Sequence, residues 1–189
     1  MLLSQFRAIG NALFSRGLVS SNSGNLSVRM GDRIIITRRG CSLGSLDEQD
    51  LIETGIDKND RFTPLATIEL PVHRAIYQQT QAQAIIHAHP PHAITLSLVE
   101  TEIVPTCVED FSEVGGVPVL GWNMEVKPGG LGDIIARGLR QHRVVVVRGH
   151  GSFAIGQLLE EAHNYTTELE EACQIICLSK SIKITPGIE

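Results

Sequence analysis

The chain has 189 residues, 42% of them hydrophobic, enough to bury one substantial core and within the usual range of a single domain. A formal net charge of -5, with an isoelectric point near 5.8, excludes the basic surplus on which non-specific nucleic-acid or anionic-membrane binding depends. No run approaches the roughly 18 apolar residues of a membrane span. The start, MLLSQFRAIGNALFSRG, lacks a basic region followed by an apolar stretch and a cleavage site, so a soluble, cytoplasmic protein acting on small molecules is expected.

In chain order, Leu2, Phe6, Ile9 and Leu13 fall at helical spacing and Gly17 is a natural stop, which predicts an amphipathic helix over 2–16. NLSVR and RIIIT read as two strands joined by a tight glycine turn, and GCSLGSLDEQDL as a loop with one helical turn. Thr67 is a candidate N-cap, with Pro71 in the first turn of a helix that runs to about Gln79. AIIHAH is a β-branched run that stops at Pro90, PPHAITLSLVE restarts as a helix, and RVVVVRG has the continuous apolar character of a buried central strand. Residues 158–180 form the last helix. EVGGVPVLGWNMEVKPGGLGD, although rich in glycine and proline, carries enough apolar residues to be a folded connection and not a linker. Alternating strands and helices with one antiparallel hairpin predict a three-layer α/β domain spanning residues 1–189. Cys41, Cys107, Cys173 and Cys177 are too few and too scattered for a disulfide framework and are expected to be free thiols.

On a strand, residues two apart share a face, so His87 and His89 project side by side, while His92, beyond two prolines, belongs to another element. Such a pair chelates zinc readily, and a catalytic zinc takes about three protein ligands with one position left open. His150, just past a buried strand and flanked by Gly149 and Gly151, is the best third candidate; Glu69, at the start of a helix whose next turn carries His73, is the best carboxylate. Spacing alone leaves a second reading open, in which these histidines are hydrogen-bonded structural residues. His142 and His163 read as surface or packing residues, and His73 as core or as support for the site.

SSNSGNLSVR (20–29), IIITRRG (34–40), the Glu69 helix start followed by Val72-His73, AIIHAHPPHA (84–93) and VVVVRGHGSFAIG (144–156) resemble, in order and approximate spacing, the class II aldolase/adducin family. Within it they resemble the bacterial and archaeal fuculose-phosphate aldolase branch. The resemblance covers nearly the whole chain. It implies an α/β/α sandwich around a mainly antiparallel sheet, and a homotetramer with active sites at subunit interfaces. It also implies zinc, or another divalent metal, on His87, His89 and His150, with Glu69 ligating the resting metal and serving as acid/base once substrate displaces it. His92 matches no ligand position.

Gly24, Asn25 and Gly40 match residues that hold a sugar phosphate, but Arg39 stands where Thr or Ser is expected, and Thr67-Ile68 where a pair of serines is common. A guanidinium suits an anion at least as well as a hydroxyl does; otherwise Arg38 and Arg39 are solvated turn charges. Where the aldolases place an interface tyrosine, this sequence has Glu109, the residue type that related sugar-phosphate dehydratases use, or else Glu109 and Asp110 belong to a hydrated loop. The expected function is a zinc-dependent aldolase that splits a ketose phosphate into dihydroxyacetone phosphate and an aldehyde: zinc stabilises the enediolate and Glu69 moves the proton. A dehydratase or epimerase of the same superfamily is the alternative. A non-catalytic adducin-like scaffold, which loses the metal histidines, fits less well, and so does a structural zinc module closed by cysteines.

Overall fold

Alternation of side chains along the strands divides the apolar residues between two cores. The computed structural model describes residues 2–104, 116–121 and 130–182. Its elements are α1 (Leu2–Ser15), β1 (Asn25–Met30), β2 (Arg33–Thr37), β3 (Leu51–Gly55), α2 (Leu70–Gln79), β4 (Ala84–Ala88), α3 (Pro91–Ser97), β5 (Glu102–Ile103), β6 (Val117–Leu120), α4 (Gly130–Gly138), β7 (Val144–Val147), β8 (Gly151–Gly156) and α5 (Leu159–Ser181). The strands make one eight-stranded sheet in the order β3-β2-β1-β4-β8-β7-β6-β5. Among the described pairings, β6 with β7 is parallel and the others are antiparallel.

Ala84, Ile86 and Ala88 of β4, Val144 and Val146 of β7 and Ala154 of β8 point to one face, where α1, α3 and α5 pack through Phe6, Leu13, Leu96 and Leu169. Ile85, Val145, Val147, Phe153 and Ile155 point to the other, covered by α2 and α4 through Leu70, Ile76 and Ile135. The result is the predicted α/β/α sandwich with a mainly antiparallel sheet. Among the described residues no helix is long and apolar enough to cross a membrane. Cys41 and Cys173 are buried, Cys177 is half-buried, and all three are free; Cys107 lies outside the described residues.

The structure corrects several local expectations. The segment from Gly40 to Asp50 contains two short 3-10 turns, Leu43–Ser45 and Glu48–Asp50, and then runs into the strand β3, not into further loop. Thr67 is not the N-cap of α2. Glu69 holds that position, and the Thr67 hydroxyl accepts from the Glu69 N–H at 3.4 Å while its carbonyl accepts from Leu70 N–H, forming a turn before the helix. The folded connection contains β6 and the start of α4. The closeness of that helix to α2 explains Gly132, where a Cβ would stand 3.1 Å from Ala75 Cβ and 3.3 Å from Val72 Cα.

Pro90 precedes α3 without a side-chain acceptor, and its neighbours find one across the fold. The Glu170 carboxylate of α5 accepts from His92 N–H at 3.1 Å, from Ala93 N–H at 3.2 Å and meets His92 Nδ1 at 2.7 Å. These satisfy the orphan donors of a helix start. Glu170→Ala is therefore expected to lower stability by about 1–2 kcal/mol. Urea unfolding checks this through a lower midpoint at constant slope; an unmoved midpoint counts against the assignment.

Candidate metal centre

Four segments meet at one end of the sheet. The pleat of β4 turns His87 to the α2 face, with His89 just beyond the strand on the same side. β1 pairs with β4 in a register that sets Asn25 opposite His87, α2 begins over both at Glu69, and the turn between β7 and β8 delivers His150. Gly151 lets these segments close: a Cβ there would meet the Ala88 carbonyl oxygen at 2.3 Å and His89 Cδ2 at 2.9 Å. Larger residues at 151 would push the histidines apart.

His87, His89 and His150 each present a ligand atom, all within 4.8 Å of one another. His89 Nε2 lies 3.0 Å from His87 Nε2; Glu69 Oε2 is 3.1 Å from His87 Nε2, and Oε1 is 3.4 Å from His150 Nε2. His87 is fully enclosed. Its Nδ1–H donates to the Ser152 carbonyl at 2.9 Å, and its ring stacks on Phe153 with centroids 4.2 Å apart. The proton on Nδ1 leaves a lone pair on Nε2, so His87 Nε2 and Glu69 Oε2 face each other as two acceptors with no hydrogen between them. A cation resolves that arrangement, and ligands about 2.0–2.1 Å from a common ion stand roughly at these spacings. The donors fit a divalent metal.

Burial tunes the same groups. Desolvation, reinforced by His150 and His89, holds His87 well below the ordinary imidazole range, and desolvation followed by His150 lowers His89. Both are thus neutral, the form that binds metal. Desolvation raises the Glu69 carboxyl, against the Asn25 hydrogen bond and the His150 charge. Such a group takes up a proton closer to neutrality than a solvated carboxylate does.

The metal donors sit in a cleft of about 350 Å³ that is also lined by Gly24, Asn25, Arg38, Arg39, Gly40, Thr67 and Ile68. Arg38 is held by Asp50 through Nε at 2.9 Å and Nη2 at 2.7 Å. The Arg39 side chain is exposed and makes no ion pair with any described residue. Asn25 is buried, and its Nδ2 donates to Glu69 Oε2 at 2.8 Å and to Thr67 Oγ1 at 3.3 Å. Glu109 and Asp110 lie outside the described residues. His92 stands apart from the centre, engaged with Glu170, while His142 and His163 are half-buried packing residues. His73 is in the core, bonded to Asn25 and Ser27. Sequence reasoning passed over Ser27, Tyr77 and Phe153; the recurrence of odd-numbered polar residues in β1 was the available signal for Ser27.

An α/β/α fold with three imidazoles and a carboxylate converging at a sheet end defines a class of metal-binding α/β protein. The family model described as Class II Aldolase and Adducin N-terminal domain matches residues 4–177, and the chain belongs to that family. An L-fuculose phosphate aldolase of Methanocaldococcus jannaschii is 30% identical over 182 residues, covering 95% of this chain and 97% of the relative. A probable bifunctional methylthioribose-1-phosphate isomerase/methylthioribulose-1-phosphate dehydratase of Nocardia farcinica is 27% identical; the alignment covers 92% of this chain but only 35% of that longer protein. A 3-oxo-tetronate 4-phosphate decarboxylase of Haemophilus influenzae is also 27% identical, over 93% of this chain and 87% of its own. The crystal structure of L-fuculose-1-phosphate aldolase from Thermus thermophilus superposes with a TM-score of 0.87 at 34% identity, covering 95% and 94% of the two chains.

The buried histidines make acid stability predictable. Burial holds His73 neutral, its pKa pushed down to about 3, whereas an unfolded imidazole titrates near about 6.5. Above that pH neither state holds the proton and His73 contributes nothing. Below it the unfolded chain binds a proton that the folded chain refuses, so stability falls by about 1.4 kcal/mol per pH unit down toward pH 3. Glu69, with a raised pKa, acts in the opposite sense. Urea unfolding of chelator-treated protein between pH 7 and 5 is expected to show a shallower acid loss in His73→Gln than in wild type. Equal slopes would contradict the assignment.

Proposed function

We propose that this chain is a zinc-dependent aldolase that cleaves a ketose phosphate, of the L-fuculose 1-phosphate kind, into dihydroxyacetone phosphate and an aldehyde. The observation that carries the reading is the convergence of His87, His89, His150 and Glu69 at one end of a cleft whose other end presents the Arg39 guanidinium, which no described carboxylate pairs. In this reading residues 1–189 form one domain, the protein is a cytoplasmic homotetramer, and the three imidazoles hold the ion. When bound, the ion supplies Lewis-acid charge where negative charge develops on a substrate oxygen.

The chain's own groups do the rest. Arg39, with Thr67 and the backbone around Gly24 and Gly40, receives the anionic end of the substrate; a guanidinium grips phosphate or carboxylate through two parallel bonds. Glu109 takes the hydroxyl proton as the carbon–carbon bond breaks, and Glu69, ionised at rest and protonated once substrate occupies the cleft, delivers a proton to the carbon left electron-rich.

A second reading has its own support. By its sequence position Glu109 resembles the glutamate that related dehydratases use, and relatives named as a dehydratase and a decarboxylase match nearly as much of this chain as the aldolase does. One experiment separates the outcomes. Protein purified without chelators is analysed for metal beside His89→Ala, and both are assayed on ketose 1-phosphates with product identification. About one divalent ion per wild-type chain, largely lost in the variant, with metal-dependent aldehyde release, is expected. Loss of water without aldehyde points to the dehydratase. A wild type without metal, or a variant that holds just as much, counts against the site.

A further inference from the structure

The polar residues behind Glu69 run in single file through the core. Tyr77 OH lies 2.8 Å from Ser27 Oγ, Ser27 Oγ 2.7 Å from His73 Nδ1, His73 Nε2 2.5 Å from Asn25 Oδ1, and Asn25 Nδ2 2.8 Å from Glu69 Oε2. None of the four residues behind the carboxylate is more than 4% exposed. The mechanism above uses none of Tyr77, Ser27 or His73, yet buried polar groups of this density need a reason.

The carboxylate fixes the direction of the whole file. An ionised carboxylate only accepts, so Asn25 turns its NH2 to Glu69, with its second hydrogen toward Thr67 Oγ1. Its carbonyl oxygen then faces His73 and needs a donor, which places the imidazole proton on Nε2. The uncharged ring is left with a lone pair at Nδ1, and Ser27 meets it with its single hydroxyl hydrogen. Ser27 can then only accept from Tyr77. Reversing any one link sets two acceptors or two donors face to face where no water substitutes.

We propose that Tyr77, Ser27, His73 and Asn25 are positioning residues for Glu69: four hydrogen bonds, all donating toward the carboxylate, hold Oε2 and keep the group turned to His87 and His150. The proposal rests on the metal-site reading above. It also gives Asn25 a different task from the one that the family pattern implies. Both amide hydrogens and the carbonyl oxygen are engaged inside the protein, so the substrate anion is met by Arg39, Thr67 and backbone N–H groups. Aligned donors polarise one another, and tethering Oε2 keeps it facing His87 while Oε1 faces His150.

Histidine-selective 15N labelling of the full chain tests the direction. Two-bond proton–nitrogen correlations report each ring's tautomer, and His73→Gln identifies the His73 signals. The Nε2–H tautomer with a slowly exchanging proton is expected for His73, with or without zinc; an Nδ1–H tautomer overturns the proposal whatever reaction the protein catalyses. The positioning role is read separately. Zinc affinity by chelator competition is expected to fall roughly tenfold in Asn25→Ala, and the visible spectrum of the cobalt-loaded protein, which reports coordination geometry, is expected to change in Asn25→Ala and Ser27→Ala. If both variants keep wild-type affinity and spectra, the residues are merely structural and the proposal fails alone. If wild-type protein takes up neither metal, the metal-site reading fails and the proposal goes with it.

Discussion

The centre depends on the register between β1 and β4. Because strand side chains alternate between faces, setting Asn25 opposite His87 puts Asn25 and Ser27 on the same face as Ile85 and His87, and the β4–β8 pairing adds Phe153 beside them. α2 lies over this strip, so its N-cap Glu69 reaches the histidines while His73 and Tyr77 in the following turns reach Ser27. A slip of one residue would send both imidazoles into the layer of α1, α3 and α5 and bring Ile86 to the cleft. Packing and chemistry therefore share one constraint, and the apolar alternation of β4 and β8 protects the ligand geometry.

Burial has opposite effects on the two kinds of donor. It favours the imidazoles in their neutral form, which is the ligating one, and disfavours the carboxylate in its charged form. Asn25 offsets part of that penalty with a hydrogen bond, and a divalent ion would offset more. Glu69 is thus poised between roles by its surroundings, with the N-cap position leaving its side chain outside the rigid turns of α2. Arg39 adds an exposed positive charge to the lining of the same cleft.

Much of this was legible in the chain. The shared face of His87 and His89 followed from strand parity, and the glycines around His150 marked a close approach that Gly151 bears out through the atoms it would strike. The α/β/α order followed from alternating periodicities. Other features were hidden for identifiable reasons. β3 is short, pairs among the described residues with β2 alone and carries the exposed Glu53, so its pattern merged with the preceding turns. α4 is one-third glycine, which erases the propensity signal, although only Gly132 lies against α2. The partners of Arg38, His92 and His73 lie 12, 78 and 48 residues away in Asp50, Glu170 and Asn25, distances at which no local pattern speaks.

The cleft is made of two materials. Its histidine side is anchored by the sheet: His87 is paired through β4, and His89, His150 and Glu69 sit immediately beyond β4, after β7 and before α2. The rest of its lining includes the turn residues Arg39, Gly40, Thr67 and Ile68, of which Thr67 is buried and Ile68 is 70% exposed. Exposed positions such as Arg39 and Ile68 accept substitution at less cost than the buried residues around His87. Substrate preference in such a scaffold drifts while its ion-holding half stays fixed, and a family with an aldolase, a dehydratase and a decarboxylase among its members is what that asymmetry would produce.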